Sequence, residues 1–189
     1  VRRDALSRAI RPDAEGLPRV MGILNVTPDS FHADSRVTGQ EAVERGLAMF
    51  EDGATWVDVG GESTRPGADA VSVDEECARV IPVIQALKQA RPDGLVSIDT
   101  RHAPVAQAAL EAGADMVNDV SGLRDPAMMD VVLEAGAAVC IMHMLGTPKT
   151  MQHDIQYNDV VNDVHEALFT TASELCLLYT SDAADDCEG

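Results

Sequence analysis

The sequence contains a short apolar run that ends abruptly on an amide. In MGILNVTPDSF, residues 21–31, Met-Gly-Ile-Leu is followed by Asn25 and then by the polar segment Thr-Pro-Asp-Ser. Such a run has the composition of a buried strand. A strand built for the core that stops on an amide places a hydrogen-bonding group where the core meets a loop. We therefore expect Asn25 to face a ligand.

A second polar loop, GGESTRPG at residues 60–67, combines features that suit an anion. Its two glycines allow close approach of the backbone to a ligand. Thr64 offers a hydroxyl, and Arg65 offers a forked cation that matches phosphate oxygens. Pro66 and Gly67 fix a turn. The pattern predicts a phosphate-binding loop, and a salt-bridged surface loop is the alternative.

Further polar residues follow other apolar runs. Asp99 ends LVSID, and Asn118 lies near the end of ADMVNDV. Each has a purely structural alternative, because Asp99 could cap the following helix and Asn118 could bond to loop backbone. Asp58 lies inside its apolar run, and we expect it to brace neighbouring loops. Polar groups at the ends of all five runs nevertheless favour one common site.

The histidines do not indicate nucleophilic catalysis. His143 alternates with Met142 and Met144, which is typical of a packed strand residue, and His102 is expected in a first helical turn. Neither histidine has a serine or cysteine partner in a recognisable nucleophile motif. Acyl transfer is therefore not predicted.

The elements that must position these residues alternate regularly. Five apolar strands are each followed by an amphipathic helix, which predicts an α/β fold with parallel strands and right-handed crossovers. The strands are predicted at 19–26, 55–60, 95–99, 114–120 and 137–144, and the helices at 39–53, 73–90, 103–113, 126–136 and 158–175. Pro82 should bend the second helix or mark its true start. The recurring EDGA and EAGA favour a (β/α) barrel, in which the strand carboxyl ends form the site. A doubly wound sheet is the alternative, but no G-x-G-x-x-G follows a strand.

Composition limits the partners. The net charge of -18 argues against binding to nucleic acid or to an anionic membrane surface. No stretch approaches the roughly 20 apolar residues of a membrane span. Four cysteines without C-x-x-C spacing indicate reduced thiols and a cytoplasmic protein. The acidic, lysine-poor composition is compatible with a salt-rich cytoplasm and equally with compositional drift.

The motifs MGILNVTPDSF, DVGGESTRPG, SIDT, NDVSG and MHMLGTPKTMQ resemble those of the dihydropteroate synthases. The resemblance runs from about Val20 to Met151 and more weakly to Leu175. It implies a (β/α)8 TIM barrel, usually dimeric, of which about five of eight units are present. It also implies condensation of 6-hydroxymethyl-7,8-dihydropterin pyrophosphate with p-aminobenzoate in folate biosynthesis, the step that sulfonamides target.

The resemblance assigns a role to each candidate residue. Catalysis falls to Asn25, Arg65 and Asp99, with Asn25 also a ligand of Mg²⁺, a cation that prefers hard oxygen ligands. The substrate contacts implied are Thr64 and Arg65 to pyrophosphate and aminobenzoate, Asp99 and Asn118 to the pterin ring, Val120 and Met142 to the ring faces, and Phe31 and Pro66 to aminobenzoate.

The chain also departs from the family pattern. The later Asp-Pro-Gly-Phe-Gly, lysine and Arg-x-His motifs are absent. Residues 1–17 are interpreted as a lead-in or linker, 18–175 as a partial pterin-binding barrel, and 176–189 as an artefactual or disordered tail in which helical periodicity fails. Because strands one and five would lack partners, this chain is expected to be unstable or to aggregate, and to be inactive.

Two alternatives to the synthase remain at this point. A pterin-binding methyltransferase barrel shares the aspartate and asparagine ring contacts, but it has no pyrophosphate for the two long loops to hold. A non-catalytic fragment is the other alternative. The lead-in also leaves open a fusion to another folate enzyme upstream.

Overall fold

The structure, a computed structural model, describes residues 2–27, 35–62, 71–147 and 150–185. Five parallel strands form one sheet in chain order, which confirms the predicted parallel α/β architecture and leaves β1 and β5 at the sheet edges within the described part of the chain. The strands are β1 Met21–Asn25, β2 Trp56–Gly60, β3 Leu95–Asp99, β4 Met116–Asp119 and β5 Ala138–Ile141. The helices are α1 Arg2–Ala9, α2 Ser35–Glu51, α3 Val73–Ala90, α4 Ala103–Glu111, α5 Pro126–Ala135 and α6 Val160–Asp185.

One face of the sheet packs against the helices. Successive strand side chains point to opposite faces, so a row such as Leu24, Val59, Ile98 and Val117 lies on one side. These residues are buried in a core that also contains residues of α2 to α5, including Leu87 of α3. The outer face of the sheet is thus held mainly by aliphatic contacts, with Phe50 of α2 as the aromatic member of the core among the described residues.

The opposite, inner face has three layers. The lowest layer holds Met21, Trp56 and Leu95, the middle layer runs from Ile23 through Asp58, Ser97 and Met116 to Ala138, and the upper layer runs from Asn25 to Cys140. Helix α1 covers the lower part through Leu6 and Ala9, and the indole nitrogen of Trp56 donates to the Ala9 carbonyl at 3.2 Å. Ile23, by contrast, is 66% exposed. The lead-in at 1–17 therefore contains a helix that closes the bottom of the sheet.

Local signals set the helix limits. Helix α3 begins at Val73, because the Ser72 hydroxyl accepts from the Glu75 amide, so Pro82 does not mark its start. The recurring EDGA and EAGA place Gly53, Gly113 and Gly136 at positive φ after a helix, a conformation that ends helices on glycine. The next strand follows within two or three residues each time.

Two sequence-based predictions are wrong. Strand β5 ends at Ile141, so His143 lies in the following loop instead of the strand. In this loop the Arg124 guanidinium donates to the carbonyls of Met144 and Gly146, so these carbonyls bond to a side chain instead of a neighbouring strand. Helix α6 also does not end at Leu175 but continues to Asp185. The segment has no glycine or proline before Gly189 to stop it, although the last buried apolar side chain described is Leu175. No described helix is both long and apolar enough to span a bilayer.

Candidate active site

The upper layer of the inner face brings together residues from all five strands. Asn25, Gly60, Asp99, Asn118 and Cys140 are successive register partners. They lie at the carboxyl ends of their strands, where barrel folds bind ligands. The structure therefore places the predicted residues Asn25, Asp99 and Asn118 in one row. Gly60 and Cys140 complete the row; sequence reasoning identified Gly60 as one of the two loop glycines that allow close backbone approach but gave Cys140 no role in the site.

Because Gly60 has no side chain, the side-chain oxygens of Asn25 and Asp99 can lie close to its Cα on the inner face of the sheet. A Cβ atom at this position would lie 3.4 Å from Asp99 Oδ2 and 3.7 Å from Asn25 Oδ1. The carboxylate and the amide oxygen thus converge on the space that a side chain at residue 60 would fill. This small hydrogen-bonding cradle is formed by elements that are far apart in sequence.

Asn118 is held from below by Asp58. Its Nδ2 donates to Asp58 Oδ2 at 2.9 Å, across the intervening strand β3. Burial raises the pKa of Asp58, and the neighbouring Ser97 hydroxyl and Asn118 amide offset part of that rise. The prediction that Asp58 braces loops is therefore corrected, because its described side-chain bond is to Asn118 on β4. The alternative that Asn118 serves loop backbone finds no support in its described contacts.

Asp99 carries a strongly shifted pKa. Burial raises the pKa of its carboxyl to about 7, and the charges of Asp58, Glu76, Asp119 and Glu62 add to the rise. Both protonation states are therefore accessible at neutral pH, so Asp99 can donate or accept a hydrogen bond.

Asp99 does not cap the next helix. The N-cap of α4 is His102, whose side chain makes no capping bond, and the His102 amide donates to the Thr100 hydroxyl at 3.1 Å. His102 thus lies just before the helix and not within its first turn. The structural alternative for Asp99 is wrong, and its carboxyl is available to the inner face.

The loop after β4 is organised by Asp119. Its fully buried carboxylate accepts from the Ser121 amide, the Ser121 hydroxyl and the Leu123 amide at 2.7 to 2.9 Å. Val120 beside it is buried, whereas Met142 after β5 is 41% exposed. Asp119 therefore has a structural role, and the neighbouring Asn118 is the polar group of β4 in the upper layer.

A charged cluster, formed by Glu62, Glu76, Arg101 and His102, stands beside the row. Arg101 donates to both carboxylate oxygens of Glu62 at 3.0 and 3.1 Å, and His102 Nδ1 lies 2.7 Å from Glu76 Oε2. Burial acts to raise the pKa of Glu62, but Arg101 and the Val71 amide hold it below its usual value. Glu62, Glu76 and His102 are spaced closely enough for a metal ion; both Glu62 oxygens bind Arg101 and Glu76 Oε2 contacts His102, whereas Glu76 Oε1 is buried without a partner among the described residues. Sequence reasoning missed this cluster, for which the only signal was the charge of Arg101 directly after Asp99-Thr100.

Four predicted site residues lie outside the described residues. They are Phe31, Thr64, Arg65 and Pro66. The described residues that flank the second loop are tied together, since Glu62 Oε1 accepts from the Val71 amide at 3.2 Å. Arg79 also donates to the Gly61 carbonyl at 2.7 Å.

Comparison with known proteins agrees with this arrangement. The sequence model of the family described as "Pterin binding enzyme" matches residues 21–177. A Haloferax volcanii protein named "Probable bifunctional folylpolyglutamate synthase/dihydropteroate synthase" is 52% identical over 160 residues, covering 84% of this chain and 18% of the relative. The dihydropteroate synthase of Escherichia coli is 47% identical over 149 residues, covering 78% of this chain and 52% of the relative.

Solved structures give the same result. The Xanthomonas albilineans dihydropteroate synthase with 4-aminobenzoic acid superposes with a TM-score of 0.78 at 42% identity, covering 93% of this chain and 61% of that one. The Burkholderia cenocepacia enzyme complexed with 7,8-dihydropteroate gives 0.73 at 45% identity, with 85% and 54% covered. The chain thus spans about half the length of the E. coli relative. Through its matched motifs, its sheet and its row of strand-end polar residues, the chain belongs to the pterin-binding enzyme family.

Proposed function

We propose that these residues form part of a dihydropteroate synthase, which joins 6-hydroxymethyl-7,8-dihydropterin pyrophosphate to p-aminobenzoate and releases pyrophosphate. The observation that carries the proposal is the upper-layer row of Asn25, Asp99 and Asn118 at adjacent strand ends. Relatives named dihydropteroate synthase at 44 to 47% identity support it, and they give no support to the methyltransferase alternative.

Asp99 and Asn118 are the proposed contacts to the pterin ring. They are register partners on β3 and β4, so both can reach the edge of one flat ligand. Because the pKa of Asp99 is raised to about 7, its carboxyl can share a proton with a ring nitrogen at little cost. Val120 and Met142, from the loops after β4 and β5, are proposed to cover the ring faces.

Asn25 is proposed to bind Mg²⁺ together with pyrophosphate. Its Oδ1 is a hard oxygen donor at the open end of the sheet, near Asp99 Oδ2 above Gly60. This donor set fits a cation that takes few protein ligands and shares substrate phosphates. When bound, the ion would supply charge stabilisation to the departing pyrophosphate.

The loop residues complete the proposed site. Thr64 and Arg65 bind the pyrophosphate, with Arg65 as a bidentate donor to its oxygens. Phe31 and Pro66 form the walls of the aminobenzoate site. The amine nitrogen attacks the pterin methylene carbon, the carbon–oxygen bond to pyrophosphate breaks, and the nitrogen loses a proton. No nucleophilic side chain is required, in agreement with the missing serine and cysteine motifs.

The cellular setting and the partners of the enzyme are a further part of the proposal. We propose a cytoplasmic homodimer that acts on small molecules and not on nucleic acid or membranes. The named Haloferax volcanii protein joins a dihydropteroate synthase to a folylpolyglutamate synthase. We therefore propose that this chain, too, is part of a fusion with another folate enzyme.

The test uses a completed barrel, because β1 and β5 each have one edge without a sheet partner among the described residues. Residues 1–175, which include helix α1, are joined to the remaining part of the E. coli synthase, and pyrophosphate release is measured with and without p-aminobenzoate. Release that depends on both substrates is expected, with the 189-residue chain alone inactive. Methyl transfer, or ring binding without product, would reject the proposal.

Arg65→Ala in the same completed barrel should lower kcat/KM at least about a hundredfold, since a charged donor to the leaving group is lost. Arg91→Ala is a suitable control, because this exposed arginine pairs with Asp93 at a distance from the row. Equal efficiency of the Arg65 variant and the unmodified protein would refute the role of the second loop.

A further inference from the structure

The middle layer of the inner face contains two buried oxygens without partners. Asp58 Oδ1 and Ser97 Oγ make no hydrogen bond of good geometry among the described residues. The two residues are register partners on β2 and β3, and both are buried. A buried polar atom without a partner destabilises the fold by about 1–3 kcal/mol. The neighbouring Ser97 hydroxyl partly stabilises the Asp58 carboxylate, but its one well-formed hydrogen bond is to Asn118, so a buried carboxylate at residue 58 calls for a functional explanation.

The described side-chain bond of Asp58 fixes one group of the upper layer. Asn118 Nδ2 donates to Asp58 Oδ2 at 2.9 Å. An ionised carboxylate only accepts hydrogen bonds, so it selects the nitrogen of the Asn118 amide and not its oxygen. The amide oxygen of Asn118 must then lie on the side away from this bond.

We propose that Asp58 is a positioning residue that orients the Asn118 amide, so that Asn118 offers its carbonyl oxygen as an acceptor to the ligand. The inference rests on the proposed function and assigns the ligand a complementary chemistry. The ring edge that meets Asn118 must carry an N–H or amino donor. Without Asp58 the amide can present either end, and selectivity for that donor edge is lost.

Removal of Asp58 separates this role from a structural one. Asp58→Leu removes the acceptor for Asn118 and also the unpartnered buried oxygen. Replacing buried charge with an apolar side chain is often neutral or stabilising. We therefore expect an unchanged or higher Tm together with weaker ring binding, a combination that loss of folding cannot produce.

The experiment measures the Kd of 6-hydroxymethyl-7,8-dihydropterin pyrophosphate by calorimetry without aminobenzoate, in the completed barrel. Asp58→Leu should raise Kd about tenfold, as expected for a lost hydrogen bond to a ligand. In an Asn118→Ala background the same change should have almost no further effect, because both residues act through one contact. Asp58→Asn keeps an acceptor for Asn118, so its Kd should stay within about threefold of that of the unmodified protein.

Asp115→Leu is the matched control. This buried carboxylate lies before β4 and binds Lys88 at 3.0 Å and the Val96 amide at 3.1 Å. Its loss should lower the Tm and leave the Kd unchanged. If Asp58→Leu does not fold, the same Kd measurements are made with Asp58→Ala, alone and combined with Asn118→Ala.

The outcomes distinguish the two proposals. Equal Kd values for the unmodified protein and the Asp58→Leu variant would overturn the positioning role. The same conclusion would follow if Asp58→Leu raised Kd by the same factor in the Asn118→Ala background as in the unmodified protein. Either result leaves the proposed synthase intact. Failure of the unmodified completed barrel to bind the pterin compound would instead refute the proposed function.

Discussion

At the residue scale, the site depends on an absent side chain as much as on those present. Gly60 leaves the space in which Asn25 Oδ1 and Asp99 Oδ2 converge. The distances of 3.4 and 3.7 Å from a Cβ at this position are ordinary contacts, and the φ angle of Gly60 is not in the left-handed region. The fold can therefore accept alanine here, whereas a ligand between these oxygens cannot.

Gly60→Ala should consequently separate stability from activity. We expect the Tm to stay within about 3 °C, because the backbone conformation is open to alanine. The kcat/KM of the completed barrel should fall at least about tenfold, because the methyl group displaces a ligand between the two oxygens. Gly39→Ala in helix α2 is the control, since a Cβ there contacts nothing within 4 Å. Full activity of the Gly60 variant would show that the ligand lies elsewhere.

Asp99 predicts a pH dependence of stability with a definite sign. Its pKa is about 7 in the folded protein, compared with the ordinary aspartate value of 3.8. Between these values the folded state binds more protons than the unfolded state, so the free energy of unfolding falls as pH rises. Asp99→Asn should remove this part of the dependence, as measured by denaturant titration at pH 5 and at pH 8. An identical slope in both proteins would contradict the raised pKa.

Prediction from sequence succeeded for single residues at strand ends and failed for their partners. Asn25, Asp99 and Asn118 were found because each interrupts an apolar run. The bond from Asn118 to Asp58 joins residues 60 positions apart. The pair of Arg101 and Glu62 joins residues 39 positions apart. Such contacts are created by the packing of strands, which leaves no periodic trace in the sequence.

At the element scale, local signals explain which boundaries were predictable. Strand β3 and helix α3 have the predicted limits, because each is bounded by polar or capping residues. Strand β5 and helix α6 differ from prediction for opposite reasons. After β5 the carbonyls of Met144 and Gly146 bond to the Arg124 side chain, while the absence of glycine and proline lets α6 continue past Leu175.

Helix α1 gives a prediction at this scale. Leu6 is buried against Trp56 of the lowest layer and Met116 of the middle layer. Leu6→Ala should lower the free energy of unfolding by about 2–5 kcal/mol, the usual range for a buried leucine. Leu17→Ala is the control, because Leu17 is 55% exposed. Equal stability of the two variants would show that α1 does not cover the sheet in solution.

At the scale of the whole molecule, the described sheet has two edge strands without a second partner. Helix α1 covers only the lower part of its inner face. The described sheet ends at β1 and β5, and on its inner face Ile23 is 66% exposed. Unpaired strand edges are templates for association with other chains. The relatives supply further units, since this chain covers 61% of the Xanthomonas albilineans structure.

We therefore expect the isolated 189-residue chain to aggregate or to melt over a broad range. The completed barrel should melt sharply as a soluble species, because its added strands can pair with both edges. Light scattering and calorimetry on the two proteins at equal concentration provide the measurement. A soluble monomeric chain with a cooperative transition would contradict this expectation. It would mean that another segment protects the edges of β1 and β5 from association.

The strand order has a consequence for synthesis on the ribosome. Each strand pairs with its immediate predecessor, so no later segment has to insert between earlier ones. As the nascent polypeptide emerges, each new strand–helix unit can therefore pair with the strand that was added just before it. Because the amino-terminal part of a chain emerges first, the cradle above Gly60 can form once β3 has joined β2, while downstream codons are still being translated.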